Sequence, residues 1–178
     1  MSRVARLRPS QLDPDQRALY DAITTGPRAT GPQHFRLTGD DGELLGPFNA
    51  LLLAPALGTA LQEVGAAVRY RTSLTPRARE LAILVVARHW DSAFELHAHE
   101  SVGRAAGLSD DELATLTPDD PIERAVTDLC RVLVGGDVSD VQWAAAREHL
   151  DEATIFELTT LVGYYATLAL QLRVFRAE

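Results

Sequence analysis

The sequence predicts an all-α protein with a single domain, residues 1–178. Helix-start signals recur along the chain, whereas segments with the two-residue alternation of a strand are hard to find. Residues 81–87 and 153–175 are apolar on more than one face, as in helices that other elements surround. The length of 178 residues, of which 46% are hydrophobic, suits one compact domain with its own core.

Five helix starts share a polar capping residue, and four of them are reinforced by a proline in the first turn or by Glu or Gln at the third position. They are Asp13-Pro14 with Gln16, Thr75-Pro76, Ser109 with Glu112, Ser139 with Gln142, and Asp151. Gly107 and Gly135-Gly136 are expected to end helices. Together these signals predict helices over 14–24, 48–53, 56–71, 76–89, 92–106, 110–116 joined loosely to 121–134, and 139–175 with a break near 150.

The two most apolar helices, over 76–89 and 153–175, need more cover than a helical domain of this size offers. An interface between subunits is the natural additional place to bury them. The sequence therefore predicts a homo-oligomer.

Residues 25–47 form a long loop that is rich in Gly, Pro, Asp and Thr. Loops of this length in a compact domain are usually functional or mobile. Three interpretations stay open, namely a lid over a site, an arm to a neighbouring subunit, and a plain disordered loop. His34 and Phe35 are the residues of this loop that we expect to contact a ligand.

Composition excludes several classes of function. The net charge of -8 and the absence of a basic run argue against binding to nucleic acid. All 17 basic residues are arginine, so neither a lysine Schiff base nor a Walker A loop can form. Cys130 is the only cysteine and lies in an apolar helical pattern, which predicts a buried, inert thiol. Without a signal peptide or an apolar run of membrane-spanning length, we expect a cytoplasmic protein with no membrane partner.

Residues 80–99 gather the ionisable side chains that suit catalysis. Glu80 begins an apolar run, and after a short break Ser92, Glu95 and His99 follow at spacings that place them on one face of a helix. A carboxylate and an imidazole four residues apart can share a proton, which is the minimum for acid–base chemistry near neutral pH. We therefore predict that Glu80, Glu95, His99 and Ser92 are catalytic residues.

The same residues also have structural interpretations. Ser92 and Glu95 fit a capping box, Glu80 fits a first-turn acid that the helix dipole favours, and His99 fits a hydrogen-bonded core histidine. His97 and His99 lie about 200° apart around a helix, so they cannot chelate one ion together. A metal ion held by Glu80, Glu95 and His99 stays open as an alternative, because carboxylate and imidazole suit iron, manganese or zinc.

The region around these residues resembles the carboxymuconolactone decarboxylase family, which includes alkylhydroperoxidase D. The peroxidase branch has Glu, eleven residues, and then Cys-x-x-Cys-x-x-x-His; here Glu80, eleven residues, Ser92, Glu95 and His99 follow the same spacing. The segments GPFNALLLAP, RARELAIL and SVGRAAGLSDDEL extend the resemblance over residues 44–117. The resemblance implies an alkylhydroperoxidase D-like helical bundle that assembles as a trimer or a hexamer.

Ser92 and Glu95 stand where the peroxidase branch has its two cysteines. Peroxidase chemistry needs one thiolate to attack the peroxide and a second thiol to resolve the intermediate. The resemblance therefore implies the acid–base chemistry of the decarboxylase branch, without a cofactor. In that branch a lactone that carries a carboxylate loses carbon dioxide, and the charge that remains must be stabilised and protonated.

The resemblance also suggests a role for each residue. His99 would donate the proton, Glu95 would orient His99 and raise its pKa, and Glu80 would be the second acid or base. One of Arg69, Arg71 and Arg88 would hold the substrate carboxylate. Hydrolysis or isomerisation of a lactone-like small molecule would use the same groups. An alternative from a different class of function is a non-catalytic, oligomeric protein that binds a small molecule.

We predict that the protein has no thiol-dependent peroxidase activity, because no pair of cysteines exists. Consumption of an organic hydroperoxide is measured in the presence of a dithiol reductant. Turnover that disappears in Cys130→Ser would contradict the prediction.

Overall fold

The computed structural model describes residues 2–30 and 35–177, so His34 lies outside the described residues. Over these ranges the chain forms nine α-helices and no β-strand, which confirms the all-α prediction. The helices are α1 (Pro14–Thr25), α2 (Pro47–Leu51), α3 (Pro55–Tyr70), α4 (Pro76–His89), α5 (Ala93–Ala105), α6 (Asp110–Thr115), α7 (Pro121–Leu133), α8 (Asp140–Arg147) and α9 (Glu152–Phe175). Short 3-10 turns cover Pro9–Gln11 and Pro27–Ala29.

The caps that were predicted from the sequence form as expected. Each capping side chain accepts a hydrogen bond from a backbone N–H in the first turn of its helix. The pairs are Asp13 with Gln16, Thr75 with Ala78, Ser109 with Glu112, Ser139 with Gln142, and Asp151 with Thr154. The predicted break near 150 separates α8 from α9, and the loose joint after 116 separates α6 from α7.

Helix α4 lies at the centre of the bundle. Every residue from Leu81 to Ala87 is at most 5% exposed, and α4 packs against α5, α7 and α9. The sequence prediction that this helix is surrounded is confirmed. The further inference that α4 needs a subunit interface for cover is wrong, because helices of the same chain enclose it.

Helix α9 buries nine residues against the bundle, where it contacts α2, α3, α4 and α7. Phe156, Leu170 and Val174 remain exposed on its other side. By length and composition alone this helix is sufficiently apolar to cross a membrane, contrary to expectation. Because a core helix passes the same test, and α9 lies in the core, this result is weak support for a membrane span.

The described part of the long loop is packed rather than extended into solvent. Leu37 and Leu44 are buried in a second apolar cluster with α1 and α2. At its end Gly46 has φ +58°, and an added Cβ there would lie 2.3 Å from the ring of Phe94 on α5. The loop therefore returns against the start of α5, and a plain disordered loop does not describe residues 35–46.

We predict that Ile83→Ala on α4 lowers the free energy of unfolding by about 2–5 kcal/mol. The substitution leaves a cavity between α4 and the helices around it, and these helices cannot move in to fill it. The control is Val141→Ala on α8, because this residue is 79% exposed and the change should stay within about 0.5 kcal/mol. Urea denaturation monitored by circular dichroism measures both. Equal losses would show that α4 is not the centre of the core.

Candidate active site

Glu80 is a completely buried carboxylate in the second turn of α4. Its Oε2 atom lies 2.6 Å from Nδ1 of His99 on α5, and its Oε1 atom lies 3.4 Å from Nε of Arg79. The interpretation of Glu80 as a first-turn acid is wrong, since the first turn of α4 contains no acidic residue. A buried carboxylate needs such partners, because its charge is costly to remove from water.

His99 lies between two carboxylates. Its other ring nitrogen, Nε2, is 3.3 Å from Oε2 of Glu95, one turn earlier on α5. The side chain of His99 is only 4% exposed, and the ring of Tyr165 on α9 meets it edge-on with centroids 5.2 Å apart. Packing of α4 against α5 thus brings the three ionisable residues of the sequence prediction into one connected group.

The electrostatics of this group favour an ion pair. Burial alone would lower the pKa of His99, but the charges and hydrogen bonds of Glu80 and Glu95 outweigh it, so the pKa lies above its usual value. Burial alone would raise the pKa of Glu80, but His99, Arg69 and Arg79 hold it below its usual value. At neutral pH we therefore expect an imidazolium paired with a carboxylate.

The two carboxylates have different surroundings. Glu80 is buried behind the imidazole ring and does not line the small cavity that Glu95 and His99 line. The Oε1 atom of Glu95 is buried and has no hydrogen-bond partner among the described residues. Glu80 makes the shorter contact with His99 and is not among the residues that line the cavity, so it is the principal partner that orients the ring. Glu95 also contacts the ring and contributes to the raised pKa of His99.

We name this space the His99 cavity. Its volume is about 20 Å³, which is room for about one water molecule. Aromatic rings form much of its wall, and the polar side chains that reach it are Arg28, Arg69, Glu95, His99, Tyr164 and Tyr165. The rings of Phe35 and Phe94, 6.2 Å apart and edge-to-face, complete the wall where the long loop meets α5.

Among the three arginines that the sequence suggested, Arg69 lines the His99 cavity, and Arg71 and Arg88 do not. Burial alone would lower the pKa of Arg69, but Tyr165, Glu80 and Tyr70 raise it overall, so the guanidinium stays charged. Its Nε atom is buried without a hydrogen-bond partner in the described part of the chain. A cation with an unused donor beside the cavity suits recognition of a substrate carboxylate.

Arg28 is a site residue that the sequence analysis missed. It lies in the 3-10 turn before the undescribed segment, where its Nε donates to Oε1 of Gln62 at 3.0 Å. Its guanidinium also lies 3.5 Å from the hydroxyl of Tyr164 on α9. No local pattern near Arg28 indicates this position, because only the tertiary packing brings the turn to α9.

Ser92 does not make the predicted cap, and it lies apart from the His99 cavity. It is the N-cap residue of α5, but its side chain makes no capping hydrogen bond, so the capping-box interpretation is wrong. The chain reverses at Asp91, where φ is +50°. Ser92 consequently lines a different cavity and is not among the residues that surround the His99 cavity.

The geometry does not favour the metal alternative. Glu80 contacts Nδ1 and Glu95 contacts Nε2, which lie on opposite edges of the imidazole ring. Three ligands of one ion must point at a common centre, and these do not. Within residues 2–30 and 35–177 no group of three or more His, Cys, Asp or Glu residues has an arrangement that could hold a metal ion.

Cys130 is buried in the main core on α7, which confirms the prediction of a buried thiol. Burial raises its pKa to about 12, so almost none of it is thiolate at neutral pH.

Comparison with models of protein families gives a match to part of the chain. The model of the carboxymuconolactone decarboxylase family matches residues 55–125, a range that contains Glu80, Ser92, Glu95 and His99. This match supports the resemblance that the sequence motifs indicated. A search of curated proteins found no match.

We predict that the Glu80–His99 pair makes stability depend on pH. Because the pKa of His99 is raised, the contribution of this residue to the free energy of unfolding is fully present below pH 6.5. This contribution is lost as the pH rises through the raised pKa. Because the pKa of Glu80 is lowered, the contribution of this residue to the free energy of unfolding is present above pH 4.5. This contribution is lost as the pH falls through the lowered pKa. The cost of His99→Gln, about 3–5 kcal/mol, should therefore be greatest between pH 4.5 and 6.5.

Urea denaturation at several pH values measures this cost, and His149→Gln is the control because that histidine is exposed on the segment after α8. A cost that stays constant well above pH 6.5 would show that His99 is not charged in the folded protein.

Proposed function

We propose that the protein is a lyase of the carboxymuconolactone decarboxylase kind, because the model of that family matches residues 55–125, which contain Glu80, Glu95 and His99. Its reaction is cofactor-independent acid–base chemistry on a small, lactone-like molecule that carries a carboxylate. The observation that carries the proposal is the placement of His99, whose Nδ1 edge is paired with buried Glu80 and whose Nε2 edge lies beside Glu95 at the cavity.

In the proposed decarboxylation Arg69 binds an anionic group of the substrate. The bond between the carboxylate carbon and the ring carbon breaks, carbon dioxide leaves, and the electron pair remains on the substrate as an enolate. Nε2 of His99 then delivers a proton to that carbon, and solvent later returns one to the imidazole. Glu80 stabilises the imidazolium before the transfer, which keeps His99 in its acidic form near neutral pH.

Glu95 extends the proposal to related reactions. Its unpartnered Oε1 atom can accept a proton from water or from an acidic carbon at the cavity. With His99 as the acid and Glu95 as the base, the same site suits hydrolysis or isomerisation of a lactone.

A second candidate is a non-catalytic protein that binds a small molecule. The observation that favours a non-catalytic protein is the mutual pairing of buried Glu80 with His99, which also suits a structural ion pair. A closed cavity of about 20 Å³ admits neither an organic substrate nor an organic ligand. For catalysis the rings of Phe35 and Phe94 must move apart and open the cavity, so the long loop would act as its lid.

Assembly into a trimer or a hexamer is part of the proposal. It is supported by exposed apolar side chains on two neighbouring helices, Leu57 and Val64 on α3 and Phe156 on α9. A cytoplasmic location likewise stays a proposal.

We predict that His99→Ala lowers turnover of a carboxylated unsaturated lactone by roughly 10²–10⁴-fold, the usual value of a positioned acid. His97→Ala is the matched control, since His97 lies on the same helix and is exposed. Release of carbon dioxide and loss of substrate absorbance are measured below the melting temperature of each variant, because loss of His99 leaves Glu80 unpaired.

Added imidazole should restore part of the activity of His99→Ala and not that of Glu95→Gln. Equal turnover in His99→Ala and His97→Ala would contradict the assignment of His99. Saturable binding of the lactone with no turnover in the unmodified protein would favour the second candidate.

A further inference from the structure

We propose that Tyr165 is a further catalytic residue, whose hydroxyl donates a hydrogen bond to the substrate oxygen on which negative charge develops. This inference rests on the proposed acid–base function and concerns the same His99 cavity. Tyr165 lies in the middle of α9, and its side chain forms part of the cavity wall. The residue is only 3% exposed, so bulk water does not compete for its hydroxyl.

Tyr165 lies beside the group that delivers the proton in the proposed reaction. Its ring and the imidazole of His99 are nearly perpendicular, at 89°, with centroids 5.2 Å apart. The ring of Tyr164 packs on Tyr165 in the same manner, at 88° and also 5.2 Å between centroids. These two contacts restrict the position of the Tyr165 ring. A donor that is already held in place costs no reorganisation at the moment of reaction.

The two neighbouring tyrosines differ in what their hydroxyls contact. The hydroxyl of Tyr164 accepts a hydrogen bond from the guanidinium of Arg28 at 3.5 Å. It also lies against α3, where a Cβ added to Gly65 would be 2.1 Å from it. Tyr164 is therefore engaged with the surrounding chain, and Tyr165 is the tyrosine that packs on His99.

The contact of Tyr165 with Arg69 leaves the hydroxyl proton available. Burial alone would lower the pKa of Arg69, and its interactions with Tyr165, which include a hydrogen bond, are among those that raise it. A guanidinium can only donate, so the oxygen of Tyr165 is the acceptor of that bond. The Oε1 atom of Glu95 has no partner among the described residues, so it does not take the Tyr165 proton. The O–H group can therefore donate to an acceptor that enters the cavity.

The hydroxyl of Tyr165 is a permanent donor. Burial raises its pKa well above the usual value; the charge of Arg69 opposes this effect, and Glu95 and Glu80 add to it. The phenol consequently keeps its proton at any ordinary pH. It suits stabilisation of a negative oxygen and not the transfer of a proton, which falls to His99.

The proposed decarboxylation creates the charge that such a donor stabilises. When the bond to the carboxylate carbon breaks, the electron pair left on the ring carbon is shared with the carbonyl oxygen of the lactone. Tyr165 donates a hydrogen bond to this enolate oxygen and keeps its proton, while Nε2 of His99 protonates the carbon. Arg69 polarises the phenol and strengthens the bond that it donates.

We predict that Tyr165→Phe lowers kcat for a carboxylated unsaturated lactone by roughly 10²–10³-fold, the value of one such donor. The value of KM should stay nearly unchanged, because the bond strengthens only as charge develops. The substitution removes one oxygen and keeps the ring that packs on His99. Tyr70→Phe is the control, since Tyr70 is 46% exposed and is not among the residues that line the cavity. Circular dichroism checks that both variants are folded.

A binding measurement tests the hydroxyl without turnover. Tetronate is a lactone that is already an enolate at neutral pH, and γ-butyrolactone is its uncharged counterpart. In isothermal titration calorimetry, Tyr165→Phe should bind tetronate roughly 10-fold or more weakly than the unmodified protein, the value of a hydrogen bond to a charged group. Tyr70→Phe should bind tetronate as the unmodified protein does. The affinity for γ-butyrolactone should be the same in all three proteins.

The possible failures are distinguishable. Unchanged kcat or unchanged affinity for tetronate in Tyr165→Phe would overturn the role of Tyr165, and the proposed function would stand if the unmodified protein turns the lactone over. Equal losses of affinity for tetronate and γ-butyrolactone would show that the hydroxyl serves only to shape the cavity. An unmodified protein that neither turns over the lactone nor binds tetronate would overturn both the proposed function and this inference.

Discussion

The enclosure of α4 is the constraint on which the rest of the structure depends. Residues 81–87 are apolar on every side, so α5, α7 and α9 must surround them. Glu80 precedes this run on the same helix and is enclosed with it, although it is charged. A carboxylate without water requires a partner, and the neighbouring helix α5 provides His99.

This arrangement makes one pair of residues responsible for both stability and reactivity. Glu80 holds His99 in its charged form, which offsets the cost of burying each of them. The same pairing would keep an acid ready at the cavity, where Glu95 and Arg69 have unused hydrogen-bonding atoms. Among the residues that the structure describes, the unpartnered hydrogen-bonding atoms of this site thus belong to two residues that line the cavity.

Most of the fold and part of the site could be predicted from the sequence. Helix starts such as Asp13 and Ser109 were predictable because a cap is a local interaction. The grouping of Glu95 with His99 follows from helical spacing. The roles of the two carboxylates were not predictable, since the crossing of α4 and α5 decides which ring nitrogen faces Glu80. Arg28 and the closed cavity likewise depend on distant packing.

The sealed edge of the His99 ring has a consequence for hydrogen exchange. The proton between Nδ1 of His99 and Oε2 of Glu80 has no route to bulk water on that side, because the two side chains are 4% and 0% exposed. It can be replaced through that edge only when α4 and α5 separate locally. The lifetime of this single proton in heavy water would therefore report how often the centre of the bundle opens.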